Sequence, residues 1–214
     1  MCSEVNERDV GRFGRWAESY DASILQRLVF APLQDFTLRE AQAAQPVATS
    51  ILDIGCGTGL LLRQAAQRFP GAQLTGIDAA EEMVRVARSS APQGLSLRFA
   101  RAFGEQLPFP DAAFDLVVTT LSFHHWADQP RALREVRRVL SGGGIFALAD
   151  ALPVGLLRWI FTRNGHGRFN KPEVLEGMLL EAGFAMPRFA RVPRFSGTVQ
   201  VVLSEAAEVG GQPA

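Results

Sequence analysis

Cysteine is nearly missing: Cys2 and Cys56 are the two in 214 residues. One is near the start and the other sits among glycines, which excludes a disulfide framework and a zinc cluster. Histidine is scarce as well, with His124, His125 and His166. No spaced Cys, His or Asp set accompanies the adjacent pair, so no metal is expected. Net charge is absent, with 22 basic and 22 acidic residues. There is no global basic field to draw nucleic acid. Arg134, Arg137 and Arg138 could form a local basic patch, but they read as charges on a solvated helix face. No apolar run approaches the roughly 18 residues of a membrane span. Residues 1–15 are too charged for a signal peptide, so the cytoplasm is the expected compartment. No internal repeat and no linker interrupts the chain. With 47% hydrophobic content, residues 1–214 should form one domain around a real core.

What is present begins at Ile51-Leu52-Asp53-Ile54-Gly55-Cys56-Gly57-Thr58-Gly59. An apolar run ends in three alternating glycines and turns amphipathic, which predicts a buried strand, a tight turn and a helix start. Glycine lets the backbone take positive φ and lets a ligand lie on it. Leu60 stands where a dinucleotide fingerprint wants its last glycine, and no Lys-Ser or Lys-Thr follows. That argues against a pyrophosphate and a P-loop, and leaves an NAD oxidoreductase a poor reading. Asp53 would repel a phosphate but can hold an ammonium group. Asp78 ends the next apolar run about two dozen residues on, where an acidic residue takes a ribose diol. A ligand with a ribose, an ammonium and no phosphate fits both carboxylates, and S-adenosylmethionine is such a ligand.

Further stretches follow in order: Gly76-Ile77-Asp78, Glu105-Gln106-Leu107-Pro108-Phe109, Phe114-Asp115-Leu116-Val117-Val118, and Leu133 to Leu140 before Gly142-Gly143-Gly144. With the glycine turn they resemble the class I S-adenosylmethionine-dependent methyltransferases. The likeness is to the small-molecule branch that includes the ubiquinone and menaquinone type. The resemblance spans roughly residues 20–202. It implies an α/β, Rossmann-like, doubly wound sheet of about seven strands, mostly parallel with an antiparallel last strand, and helices on both faces. It also implies S-adenosyl-L-methionine as cofactor, S-adenosyl-L-homocysteine as product, and a small-molecule acceptor. The cofactor-binding positions it implies are Tyr20, Asp53, Gly55, Cys56, Gly57, Asp78, Ala79, Met83, Ala102, Phe103, Gly104 and Thr119. In such proteins an early aromatic-acid pair, here Tyr20-Asp21, closes over the methionine end.

Taken in order, residues 9–46 read as a helical lid, 47–150 as the cofactor-binding core, 151–204 as a lid or substrate segment with final strands, and 205–214 as a tail. Trp16, Tyr20, Ile24, Leu25 and Leu28 recur at helical spacing, and Pro32 suits a second helix that Pro46 ends. Helices are expected at 58–69, 80–90 and 128–140, the last capped by Asp128 and ended by the glycines at 142–144. Strands are expected at 73–78, 95–100, 114–119 and 145–149. Asn170 with Glu173 resembles a capping box before a last helix that stops at Gly183. An antiparallel hairpin should follow near 184–192 and 196–203. The greasy segment 152–162 can be a core helix, a lid over an apolar substrate or a membrane-surface contact. Met83 can be core or can touch the adenine.

Phe103 departs from the resembling family, which typically carries Asp there to accept from the adenine amino group. Either Phe103 stacks on the ring, or nucleotide binding has weakened and the chain is an idle binding module acting through a partner. After the fourth strand, residues 119–126 include His124 and His125. A sulfonium needs no metal and no covalent intermediate, only alignment, water exclusion and, for a hydroxyl or acidic carbon, a base. Histidine suits that task at neutral pH. His124 or His125 is the candidate base or substrate orienter, against plain loop packing. His166 reads as a solvated loop residue. The acceptor favours O- or C-methylation of a small, apolar or aromatic molecule.

Overall fold

The computed structural model describes residues 30–152, 168–193, 195 and 198–207. Trp16, Tyr20, Asp21, Ile24, Leu25, Leu28, the segment 153–162, His166 and the tail from 208 lie outside the described residues.

Seven strands form one sheet in the order β3-β2-β1-β4-β5-β7-β6. They are β1 (Ser50–Ile54), β2 (Gln73–Asp78), β3 (Leu97–Arg101), β4 (Phe114–Thr120), β5 (Leu140–Ala151), β6 (Arg188–Arg191) and β7 (Val199–Glu205). Pairings from β3 through β5 are parallel, while β7 runs antiparallel to both β5 and β6. The last strand therefore inserts between the fifth and sixth, and the hairpin lies at the far edge as expected. The helices are α1 (Ala31–Ala44), α2 (Leu60–Arg68), α3 (Glu81–Ser89), α4 (Gln129–Val139) and α5 (Pro172–Glu181).

Side-chain alternation divides the core into two layers. Leu33 and Leu38 of α1, Leu61 and Leu62 of α2, and Val84 of α3 pack with one face of the sheet, including Ile51 and Val118. Leu133 and Val136 of α4 and Leu175 and Leu179 of α5 pack with the other, including Leu52 and Val117. Each fully buried aliphatic side chain there is worth about 1.5–3 kcal/mol over leaving it in water.

Two local expectations fail. The glycines at 142–144 do not end α4. The helix stops at Val139 because Leu140 is already extended, at φ −78° and ψ 135°, and pairs with Phe114. The glycines lie inside β5, where the register with β4 shifts and Gly143 takes φ +74°. A Cβ on Gly144 would come within 2.9 Å of the Ser141 carbonyl oxygen, so the irregular stretch needs them. The capping box at α5 does not form either. Lys171 is the N-cap without a side-chain bond, and the Asn170 amide donates to Gln129 Oε1 at 2.8 Å instead. The other end follows expectation. Gly183, at φ +89°, donates to Leu180, and Phe184 donates to Leu179, a Schellman stop.

The order β2-β1-β4 makes the chain leave β1 in opposite directions. Loops after β1 and β4 diverge, and the crevice between them lies at the carboxyl ends of the strands.

Candidate functional site

The crevice is a cavity of about 330 Å³. One wall is the turn after β1. Gly55, Gly57 and Gly59 have φ of +76°, +53° and +78°, which side chains rarely tolerate. A Cβ on Gly55 would sit 2.0 Å from Ser122 Oγ, whereas one on Gly57 meets nothing within 4 Å. Gly55 is thus demanded by the neighbouring loop, and Gly57 opens its backbone to the cavity. Asp78, at the end of β2, accepts from Gly57 N–H at 2.9 Å and from Ala80 N–H at 2.8 Å. Its carboxylate ties the turn to the start of α3. Burial raises its pKa above the ordinary value, against the pull of those two bonds.

Of the residues expected to bind cofactor, Gly55, Gly57, Asp78, Ala79, Met83, Ala102, Phe103 and Gly104 all line this cavity. Tyr20 lies outside the described residues. Asp53, Cys56 and Thr119 do not line it, for three reasons. Asp53 is 1% exposed, within the strand. One of its oxygens has no partner among the described residues, and burial, with Asp78 adding, pushes its pKa up to about 8. Cys56 is buried beside Gly76. Thr119 points into the sheet and donates to the Ile54 carbonyl at 2.8 Å. Strand alternation gives the cavity position to Thr120.

The opposite wall is the loop after β4. Leu121, at φ +50°, holds a conformation that stores about 1–3 kcal/mol of strain in a non-glycine residue. It sends the chain into a single 3₁₀ turn, Phe123–His125. Trp126 packs on Phe123 edge to face at 5.1 Å and donates to Ser122 Oγ at 3.2 Å. Its ring also lies 3.3 Å from where a Gly104 Cβ would be. Glu105 accepts from Ala127 and Asp128 N–H, tying the Phe103 loop to this one.

His124 and His125 both line the cavity, with rings 4.0 Å apart. The His124 ring stacks on Phe169 at 4.5 Å. Its Nδ1 is 2.8 Å from Asp150 Oδ1, and its backbone N–H donates to Asp150 Oδ2 at 3.0 Å. Asp150 itself is 1% exposed. From the sequence no individual role falls to Asp150, Ser122, Phe30 or Phe169, although Phe30 and Phe169 lie in the segments expected to cover the acceptor and Ser122 in the loop after the fourth strand. All but Asp150 are lining residues. Asp150 directly follows the apolar run of the fifth strand and Ser122 follows the fourth, which puts both at the ligand edge of the sheet. Phe30 and Phe169 arrive from segments whose path no local pattern reveals.

Comparison with known proteins gives a consistent picture. A methyltransferase domain family matches residues 52–148. The malonyl-[acyl-carrier protein] O-methyltransferase of Geobacter sulfurreducens is 39% identical over 64% of this chain, which spans 50% of that protein. The demethylmenaquinone methyltransferase of Thermus thermophilus is 40% identical over 67% of this chain and 78% of its own length. Among solved structures, the Haloferax volcanii complex of the Trm112 methyltransferase activator with a methyltransferase shares the fold. The TM-score is 0.75, with 21% identity, covering 91% of this chain and 97% of that one.

Proposed function

The chain belongs to the class I S-adenosylmethionine-dependent methyltransferases, and from that premise we propose that it methylates a small, apolar or aromatic molecule at oxygen or carbon. One observation carries the proposal. A single cavity joins the glycine turn and Asp78 to an aromatic wall that bears His124.

The cofactor suits the residues present. Gly57 leaves room where a Cβ would be, and Asp78 offers a carboxylate for a ribose diol. Beyond Asp78, Ala79, Met83, Ala102 and Phe103 provide an apolar bed for a base, Phe103 by stacking. Asp53 lies behind the turn with one oxygen unpartnered among the described residues. Its buried carboxyl is held protonated, and a cationic ligand beside it would draw it toward the charged form. S-adenosylmethionine, when bound, supplies a methyl group on a sulfonium with a neutral thioether to leave. The chain's own work is to align the acceptor, exclude water and take a proton. Phe169, Trp126 and Phe30 form an apolar wall for a planar acceptor, and His124 is the base.

Calorimetry with S-adenosylhomocysteine should show binding, and NAD should show none. Asp78→Ala should weaken that binding roughly a hundredfold, as expected for lost charged hydrogen bonds. With reduced demethylmenaquinone as the first acceptor probed, His124→Ala should abolish turnover while S-adenosylhomocysteine affinity stays put. Undiminished turnover in both His124→Ala and His125→Ala would remove histidine from the chemistry.

A further inference from the structure

The geometry points to Asp150 as the positioning residue of an Asp150–His124 pair, which holds the imidazole with Nδ1 protonated and leaves Nε2 to receive the acceptor's proton. This rests on the reading of His124 as the base. Asp150 ends β5, inside the sheet, and its carboxylate makes three contacts. Oδ1 meets His124 Nδ1 at 2.8 Å and accepts from Ala151 N–H at 2.7 Å. Oδ2 accepts from the backbone N–H of His124 at 3.0 Å. A carboxylate only accepts, so the ring nitrogen facing it must donate. The same group grips the backbone and the ring of one residue, which sets the rotation of the imidazole as well as its tautomer.

The surroundings hold the pair still. Phe169 stacks on one side of the His124 ring, with 20° between planes. Arg168 N–H donates to the His124 carbonyl at 2.6 Å. Gln129 bridges the Phe123 and Arg168 carbonyls at 3.0 Å each, and Asn170 fixes Gln129 in turn. Nε2 is the ring nitrogen left without a partner among the described residues, in a side chain that lines the cavity. His125, the neighbouring ring, is not held by Asp150.

The arrangement has a chemical consequence. The acceptor's O–H or acidic C–H gives its proton to Nε2. The electron pair released forms the bond to the methyl carbon, and the carbon–sulfur bond breaks with its pair left on sulfur. The resulting imidazolium stands beside a buried carboxylate for which, among the described residues, it is the one ion-pair partner. Asp150 therefore stabilises the charge that appears and returns the ring to the same tautomer for the next cycle. The proton then passes to water.

The test is spectroscopic and needs no acceptor. Long-range proton–nitrogen NMR on the full chain, labelled at histidine and assigned with His124→Gln, reads which ring nitrogen carries the proton. His124 should show the Nδ1–H form in the wild type. In Asp150→Ala it should move mostly to Nε2–H, with S-adenosylhomocysteine affinity held within about threefold. An Nε2–H ring in the wild type overturns the proposal, as does an unchanged Nδ1–H ring in the variant. The wild-type spectrum decides by itself if the variant does not fold. If S-adenosylhomocysteine fails to bind while Nδ1–H is seen, the cofactor reading falls and the pair stands. Binding with Nε2–H means the reverse.

Discussion

Asp53 is a carboxyl group in the interior of a strand, with one oxygen unpartnered among the described residues. Burial, and then the charge of Asp78, lift its pKa from 3.8 to about 8. The folded protein therefore keeps a proton there that the unfolded chain loses above its ordinary value. Stability must fall as pH rises between those two values, by about 1.4 kcal/mol per unit from this group. Asp53→Asn removes that dependence. In urea titrations the variant should gain on the wild type from pH 5 to pH 8, and a constant difference would contradict the assignment. A nearby pair of acids in a turn was readable from spacing alone. That one of them is sealed off and neutral was not, because burial depends on what packs over β1.

Among the elements, the strand–turn–helix from β1 to α2 is the most constrained. Gly55 faces Ser122, which belongs to a loop more than sixty residues away. Gly55→Ala would combine a left-handed backbone penalty of about 1–2 kcal/mol with a collision that pushes the 3₁₀ turn outward. The expected result is a drop in melting temperature together with loss of S-adenosylhomocysteine binding by calorimetry. Gly57→Ala meets open space instead, so it should cost less stability while still weakening binding. Helix ends show the same mixture of local and distant causes. Gly183 stops α5 as its chemistry predicts. Asn170 abandons its cap because Gln129 offers a partner that no window of neighbouring residues contains.

For the molecule as a whole, the sheet places two divergent loops against each other, and ligand binding should link them. Saturation with S-adenosylhomocysteine at about 100 times its Kd should add about 2.7 kcal/mol and raise Tm by roughly 5–10 °C for a chain of this size. Differential scanning fluorimetry measures that shift, and NAD should give none. Hydrophobic periodicity and glycine spacing were enough for the strand–helix alternation, the parallel sheet and the acid–glycine–acid turn, since each follows from residues a few positions apart. The Asp150–His124 contact, the exchange of Thr119 for Thr120 at the wall, and the arrival of Phe169 on the ring were settled by packing. Those depend on register between strands and on segments far apart in the chain, where the energy of meeting is spread over many side chains and leaves no mark in any short stretch.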